Sequence, residues 1–174
     1  MFKRIALVGF GLIGGSIARA AKAQGLAGEI VTTARSEKSR NRVRELNIVD
    51  RVTESNIEAV KGADLVILCI PVGDCGPVAK EIAPYLAPGA IISDVGSVKG
   101  SVVREMQPHL PKGVHFVPAH PVAGTEHSGP DSGFAELFVN RWCILTPPEG
   151  TDPKAVEKLK DFWAAIGARV EIMG

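Results

Sequence analysis

The hexapeptide Gly9-Phe10-Gly11-Leu12-Ile13-Gly14 constrains this chain more tightly than any other stretch. It follows a continuously apolar run, Ile5-Ala6-Leu7-Val8, and leads into Leu12 to Ala23, a stretch of helical composition that stops at Gly25. A short apolar run ending at glycine reads as a strand buried on both faces. Strand, G-x-G-x-x-G turn and helix, in that order, form the frame of a dinucleotide site. The first glycine allows the tight turn and the second lets backbone approach a pyrophosphate. The third lets helix and strand pack closely, so that the helix N-terminus faces the anion. Gly9, Gly11, Leu12, Ile13 and Gly14 are therefore candidate cofactor-binding residues.

The same region imitates a secretory leader: Lys3-Arg4, an apolar run from Ile5 to Ile17, then Ala21-Lys22-Ala23. Four glycines interrupt the run and Arg19 precedes the supposed cleavage site, which favours the phosphate-loop reading. Net charge is +1, giving no electrostatic reason to expect nucleic acid or an anionic membrane as partner. Cys69, Cys75 and Cys143 show no CxxC spacing and read as reduced thiols of a cytoplasmic protein. No segment has the apolar length of a transmembrane helix, and no His or Cys pair has the spacing of a metal site.

Further along, strand and helix patterns alternate. Strands are expected at Glu29 to Thr33, Ala63 to Ile70, Ala90 to Ser93, Val114 to Val117, Cys143 to Leu145 and Ala168 to Ile172. Helices are expected at Ser36 to Leu46, Val78 to Leu86, Val98 to Met106 and Pro153 to Ile166, with Ser36 and Asp152 as N-caps. Such alternation implies βαβ units, hence an α/β fold of the Rossmann type: a doubly wound, mainly parallel sheet with helices on both faces.

The end of the second strand decides which dinucleotide fits. An acidic residue there would bond the ribose 2′-hydroxyl, but this chain has Thr33-Ala34-Arg35-Ser36. The Arg35 guanidinium suits a 2′-phosphate and Ser36 would add a hydrogen bond, with Ala34 beside them. NADP is therefore favoured, with NAD as the alternative; a merely solvated surface arginine is the competing reading of Arg35.

A polar, turn-rich loop, HPVAGTEHSGP, runs from His120 to Pro130. His120 follows the strand expected at Val114 to Val117, so it should project at the carboxyl edge of the sheet, where ligands bind in open α/β folds. A histidine suits proton abstraction because its pKa lies near working pH. Position alone leaves a buried core histidine equally open.

Taken together, GFGLIGGS, CIPVG at 69–73, DVGSVKG at 94–100, HPVAGTEHSGP at 120–130 and ILTP at 144–147 resemble the prephenate/arogenate dehydrogenases of tyrosine biosynthesis. The resemblance covers essentially the whole chain. It implies oxidative decarboxylation of prephenate or arogenate with hydride transfer to NAD(P). It also implies His120 as base, Ser97 as a residue orienting the hydroxyl and that base, and Thr125 and Glu126 as substrate or gating residues. Cys69, Ile70, Pro71 and Gly96 join the cofactor-binding set. His127 reads as a plain loop residue, His109 and His115 as structural, and Lys99 as bonding nearby carbonyls or capping its region, without a catalytic part. The family couples such a domain to a helical one that dimerises and completes the substrate pocket, so residues 1–174 correspond to the dinucleotide-binding domain and a homodimer would need the helical domain. Two other readings stand beside it: a different Rossmann-fold hydroxyacid dehydrogenase, and an NADP-binding sensor or scaffold without turnover.

Overall fold

The computed structural model describes residues 1–124 and 128–174. The chain opens with β1 (Phe2–Val8), α1 (Leu12–Ala23), β2 (Ala27–Thr33), α2 (Glu37–Leu46), β3 (Arg51–Thr53) and α3 (Asn56–Val60). It continues with β4 (Leu65–Leu68), α4 (Val72–Ile82), β5 (Ile91–Asp94), α5 (Lys99–Met106) and β6 (His115–Phe116). Then come β7 (Ala119–Pro121), β8 (Trp142–Leu145), α6 (Pro153–Ala165) and β9 (Arg169–Ile172). The first six strands form one parallel sheet in the order β3-β2-β1-β4-β5-β6. Its order reverses between β1 and β4, and the crevice beyond the carboxyl ends of those strands is where such sheets bind ligands.

Strand periodicity explains the layers. Ile5, Leu7, Leu65, Ile67 and Ile91 point to one face, where Ile17 of α1, Val43 of α2 and Phe162 and Trp163 of α6 cover them. Ala6, Val8, Val66, Leu68 and Ile92 point to the other, against Val60, Ala79, Ile82, Val102 and Met106 of α3, α4 and α5. Successive residues of a strand face opposite ways, so continuously apolar strands require helices on both sides. The N-terminal run that imitates a leader is β1, in the interior of the sheet, followed by α1. Among the described residues no helix is long and apolar enough to cross a membrane.

Four features depart from the expectations. Helix α4 begins at Val72, with Pro71 as its N-cap, and carries Pro77 inside it. The strand before it ends at Leu68, and a short 3₁₀ turn, Ala83–Tyr85, replaces the expected end of the helix. β3 and α3 were not expected: three and five residues are too few to show periodicity, although Ser55 caps α3 by accepting the Glu58 amide at 3.1 Å. The last three strands form a second sheet, with β7 antiparallel to β8 and β9 parallel to it. The chain leaves the main sheet at Pro118, which has no N–H to extend the ladder, and enters the second sheet at Ala119.

Candidate functional site

The glycine turn is held by backbone geometry. Gly9 has φ +104, and a Cβ there would strike the Cys69 carbonyl; a Cβ on Gly14 would strike the Gly9 carbonyl. The Gly9 amide donates to Thr33 Oγ1 at 2.9 Å, and the Cys69 amide to the Val8 carbonyl at 2.8 Å. The turn is thereby tied to the ends of β2 and β4 at once. Gly11 differs: a Cβ there would meet no protein atom within 4 Å. Gly11 is also the N-cap of α1, without a side-chain cap and with no acidic residue in the first turn. Unmet helix amides behind an open approach make a cradle for a phosphate group. Leu12 and Ile13 turn their side chains into the core.

Beyond the turn lies a cavity of about 360 Å³, bounded by Gly9 and Gly11, by Ala34 and Arg35 at the end of β2, and by Glu54 and Asn56 of the β3–α3 junction. The Arg35 side chain is 90% exposed and stands 3.7 Å from Asp74. Arg40 reaches back to donate to the carbonyls of Ala34 and Arg35 at 3.0 and 2.7 Å, which fixes the backbone under Arg35. Ser36 Oγ accepts the Ser39 amide at 3.0 Å as the cap of α2, and its own proton remains a donor. Ile70 lines the cavity, Cys69 backs the turn, and Pro71 is exposed at the start of α4. Burial pushes the Cys69 thiol well up, which keeps it uncharged beside the anion site.

The far end of the polar loop closes this cavity. Gly129 and Pro130 form part of its wall. Arg19 of α1 donates to the Pro130 carbonyl at 3.2 Å, Ser16 Oγ accepts the Phe134 amide at 3.0 Å, and Arg42 of α2 grips Asp131 with its closest contact at 2.6 Å. That pairing holds the Asp131 carboxyl below its ordinary range. None of these long-range anchors was legible in the sequence.

The near end of the loop carries His120, on β7 opposite Ile144. This corrects the expectation that it trails the strand at Val114 to Val117: it belongs to the second sheet. Its neighbours Ala119 and Pro121 are buried while His120 is partly open, as strand alternation requires. Lys99 Nζ donates to the Ala119 carbonyl at 2.6 Å and to Asp94 Oδ2. Ser97 is exposed in the short turn between Asp94 and Lys99, so this clamp brings Ser97 and His120 onto adjoining segments. Gly96 allows the clamp, since its amide donates to Asp94 Oδ2 at 2.9 Å and a Cβ would press on Val72. Burial, and then the positive charge of Lys99, hold the His120 imidazole below its ordinary pKa, against Asp94. Neither His120 nor Ser97 lines this cavity itself. Thr125, Glu126 and His127 lie outside the described residues. Asp94 and Lys99 were missed as a unit; the spacing D-x-x-x-x-K directly after a buried strand was the available signal.

The profile described as "Prephenate dehydrogenase, nucleotide-binding domain" matches residues 17–172. A cyclohexadienyl dehydrogenase of Zymomonas mobilis is 47% identical over 99% of this chain and 59% of its own length. A prephenate dehydrogenase of Bacillus subtilis is 38% identical over 94% of this chain and 44% of its own. The crystal structure of Aquifex aeolicus prephenate dehydrogenase, in complex with hydroxyphenyl propionate and NAD+, superposes with a TM-score of 0.91 at 33% identity, covering 100% of this chain and 60% of that one. The chain thus spans about half to three-fifths of the length of these relatives. An apolar strand ending in a glycine turn, a six-stranded parallel sheet of the matching topology and a profile match over nearly all of its residues place this chain in the prephenate dehydrogenase family, as a nucleotide-binding domain.

Proposed function

We propose that this chain binds NADP and supplies the proton-abstracting group for oxidative decarboxylation of prephenate or arogenate. The observation carrying this is that one segment, 120–130, begins at His120 and ends as a wall of the nucleotide cavity. Gly9 to Gly14 and the first amides of α1 would hold the pyrophosphate, and Arg35 with Ser36 the 2′-phosphate. Bound nicotinamide would accept the hydride from the ring carbon that carries the hydroxyl. His120 takes the hydroxyl proton, Ser97 orients that hydroxyl and the imidazole, and the ring carboxylate leaves as carbon dioxide while the ring becomes aromatic. Thr125 and Glu126, between His120 and Gly129 in sequence, would serve as substrate or gating residues by the family resemblance. The helical domain of the relatives would complete the substrate pocket and bring two copies together.

Mixing the protein with NADP and prephenate, then arogenate, and following reduced nicotinamide tests the reading; binding without turnover of either would overturn it for this chain. Arg35→Ala should weaken NADP about tenfold or more, the size of one charge-assisted hydrogen bond, and leave NAD nearly unchanged. Equal losses for both dinucleotides would remove the NADP preference.

The direction of the His120 shift sets a pH dependence. The imidazole is a base only when neutral, and a lowered pKa keeps it neutral further into acid. The acid limb of kcat/KM, which reports the free protein, should therefore fall below the ordinary histidine value of about 6.5. A limb centred above that value would contradict the assignment.

A further inference from the structure

The turn between β5 and α5 holds a charged pair that hydride transfer does not itself require. Asp94 is fully buried at the end of β5. Its Oδ2 accepts the Gly96 amide and the Lys99 ammonium, and its Oδ1 accepts the Ala119 amide at 3.3 Å. Lys99 donates as well to the Ala119 carbonyl. Ala119 is thus held by both its N–H and its C=O, and it is the residue directly before His120. Burying a carboxylate with an ammonium is an inefficient way to stabilise a fold, because desolvation offsets most of the attraction. A pair placed at this one peptide therefore needs another account.

We propose that Asp94 and Lys99 are positioning residues for His120: together they hold Ala119 by its N–H and its C=O and so fix the backbone on which the imidazole stands. The proposal rests on the reading of His120 as base. The titratable groups near His120 among the described residues are Lys99 from α5, Asp94 from β5 and the buried Cys143 thiol of β8. Burial pushes that thiol up to about 12, so it carries no charge across the working range. Lys99 and Asp94 are then the two charges that set the imidazole, and they act in opposite senses. Ammonium and carboxylate leave a clear signature: deleting one moves the histidine titration up, deleting the other moves it down.

The test is an NMR titration of the His120 ring in this chain, assigned by comparison with His120→Asn. Lys99→Met should shift the titration upward, Asp94→Asn downward, and Lys99→Arg should return it close to the starting position. Lys99→Gln keeps a donor to the Ala119 carbonyl without the charge and reads the same shift should Lys99→Met fail to fold. In turnover, Lys99→Met should lower kcat about 10²-fold, the cost of a misplaced reacting group, with the KM for NADP unchanged. A folded Lys99→Met or Lys99→Gln protein whose His120 titrates where it did before overturns the proposal. Retained turnover in His120→Asn would overturn the base assignment instead, and the two failures are read in different experiments.

Discussion

Replacing His120 with asparagine lowers kcat for prephenate or arogenate about 10²–10⁴-fold, the range for removal of a general base, while dinucleotide affinity stays where it was. The separation follows from geometry. His120 stands on β7 with its side chain on the open side of the strand, so a smaller polar side chain fits there without disturbing buried Ala119 and Pro121. The nucleotide cavity is built from the glycine turn, the end of β2, the β3–α3 junction and Gly129–Pro130, and residue 120 is absent from its walls. Steady-state kinetics paired with a fluorescence titration of NADP reads both quantities. Normal turnover in the variant would end the role of His120. Matched losses of turnover and NADP affinity would instead assign it to the architecture of the loop.

Gly11→Ala and Gly14→Ala should fail in opposite ways. At Gly11 a Cβ meets no protein atom within 4 Å, and φ is −100, outside the left-handed region that favours glycine. The fold should keep its stability, or gain slightly from a stiffer unfolded chain. Dinucleotide affinity should fall about 10–10²-fold, because the methyl group occupies the space through which a pyrophosphate approaches the first amides of α1, and a lost charge-assisted hydrogen bond is worth that much. At Gly14 the added methyl runs into the Gly9 carbonyl, which is backbone and has no rotamer to change. Overpacking of that kind costs about 1–3 kcal/mol, and each kcal/mol lowers Tm by about 2–4 °C in a chain of this size. Calorimetry and NADP titration on the two variants give four numbers. A Gly11→Ala protein that binds NADP normally would show that no phosphate comes close to that glycine.

Helix N-caps, the apolar strands and the glycine turn were all legible because each is a local decision. Ser36 and Asp152 cap α2 and α6 through amides three and two residues away, respectively. The run Ile5 to Val8 is apolar on both faces since helices lie on both sides of it. The place of Arg35 on the cavity wall was legible for a similar reason, since it comes just after the end of β2. Short elements were harder: β3, with three residues, and α3, with five, each span fewer than two periods of the pattern that would reveal them. Helix α4 starts at Val72, ahead of the expected Val78: Pro71 stands at its cap, where no amide is missed, and Pro77 forgoes only the bond to the Gly73 carbonyl.

The order of residues along the chain was enough to specify a parallel α/β sheet and a glycine turn after its first strand, since these follow from propensities and spacings of a few residues. The partners that make the loop a site lie far off in sequence. Lys99 meets Ala119 across 20 residues, Arg42 meets Asp131 across 89, and Ser16 meets Phe134 across 118. Such contacts form only when the sheet brings β5, α1 and the loop to one edge, and the same folding carries His120 out of the main sheet at Pro118 and onto a second one. Hydrogen bonds between distant residues depend on where the packed core places their backbones, and no local pattern of side chains encodes that.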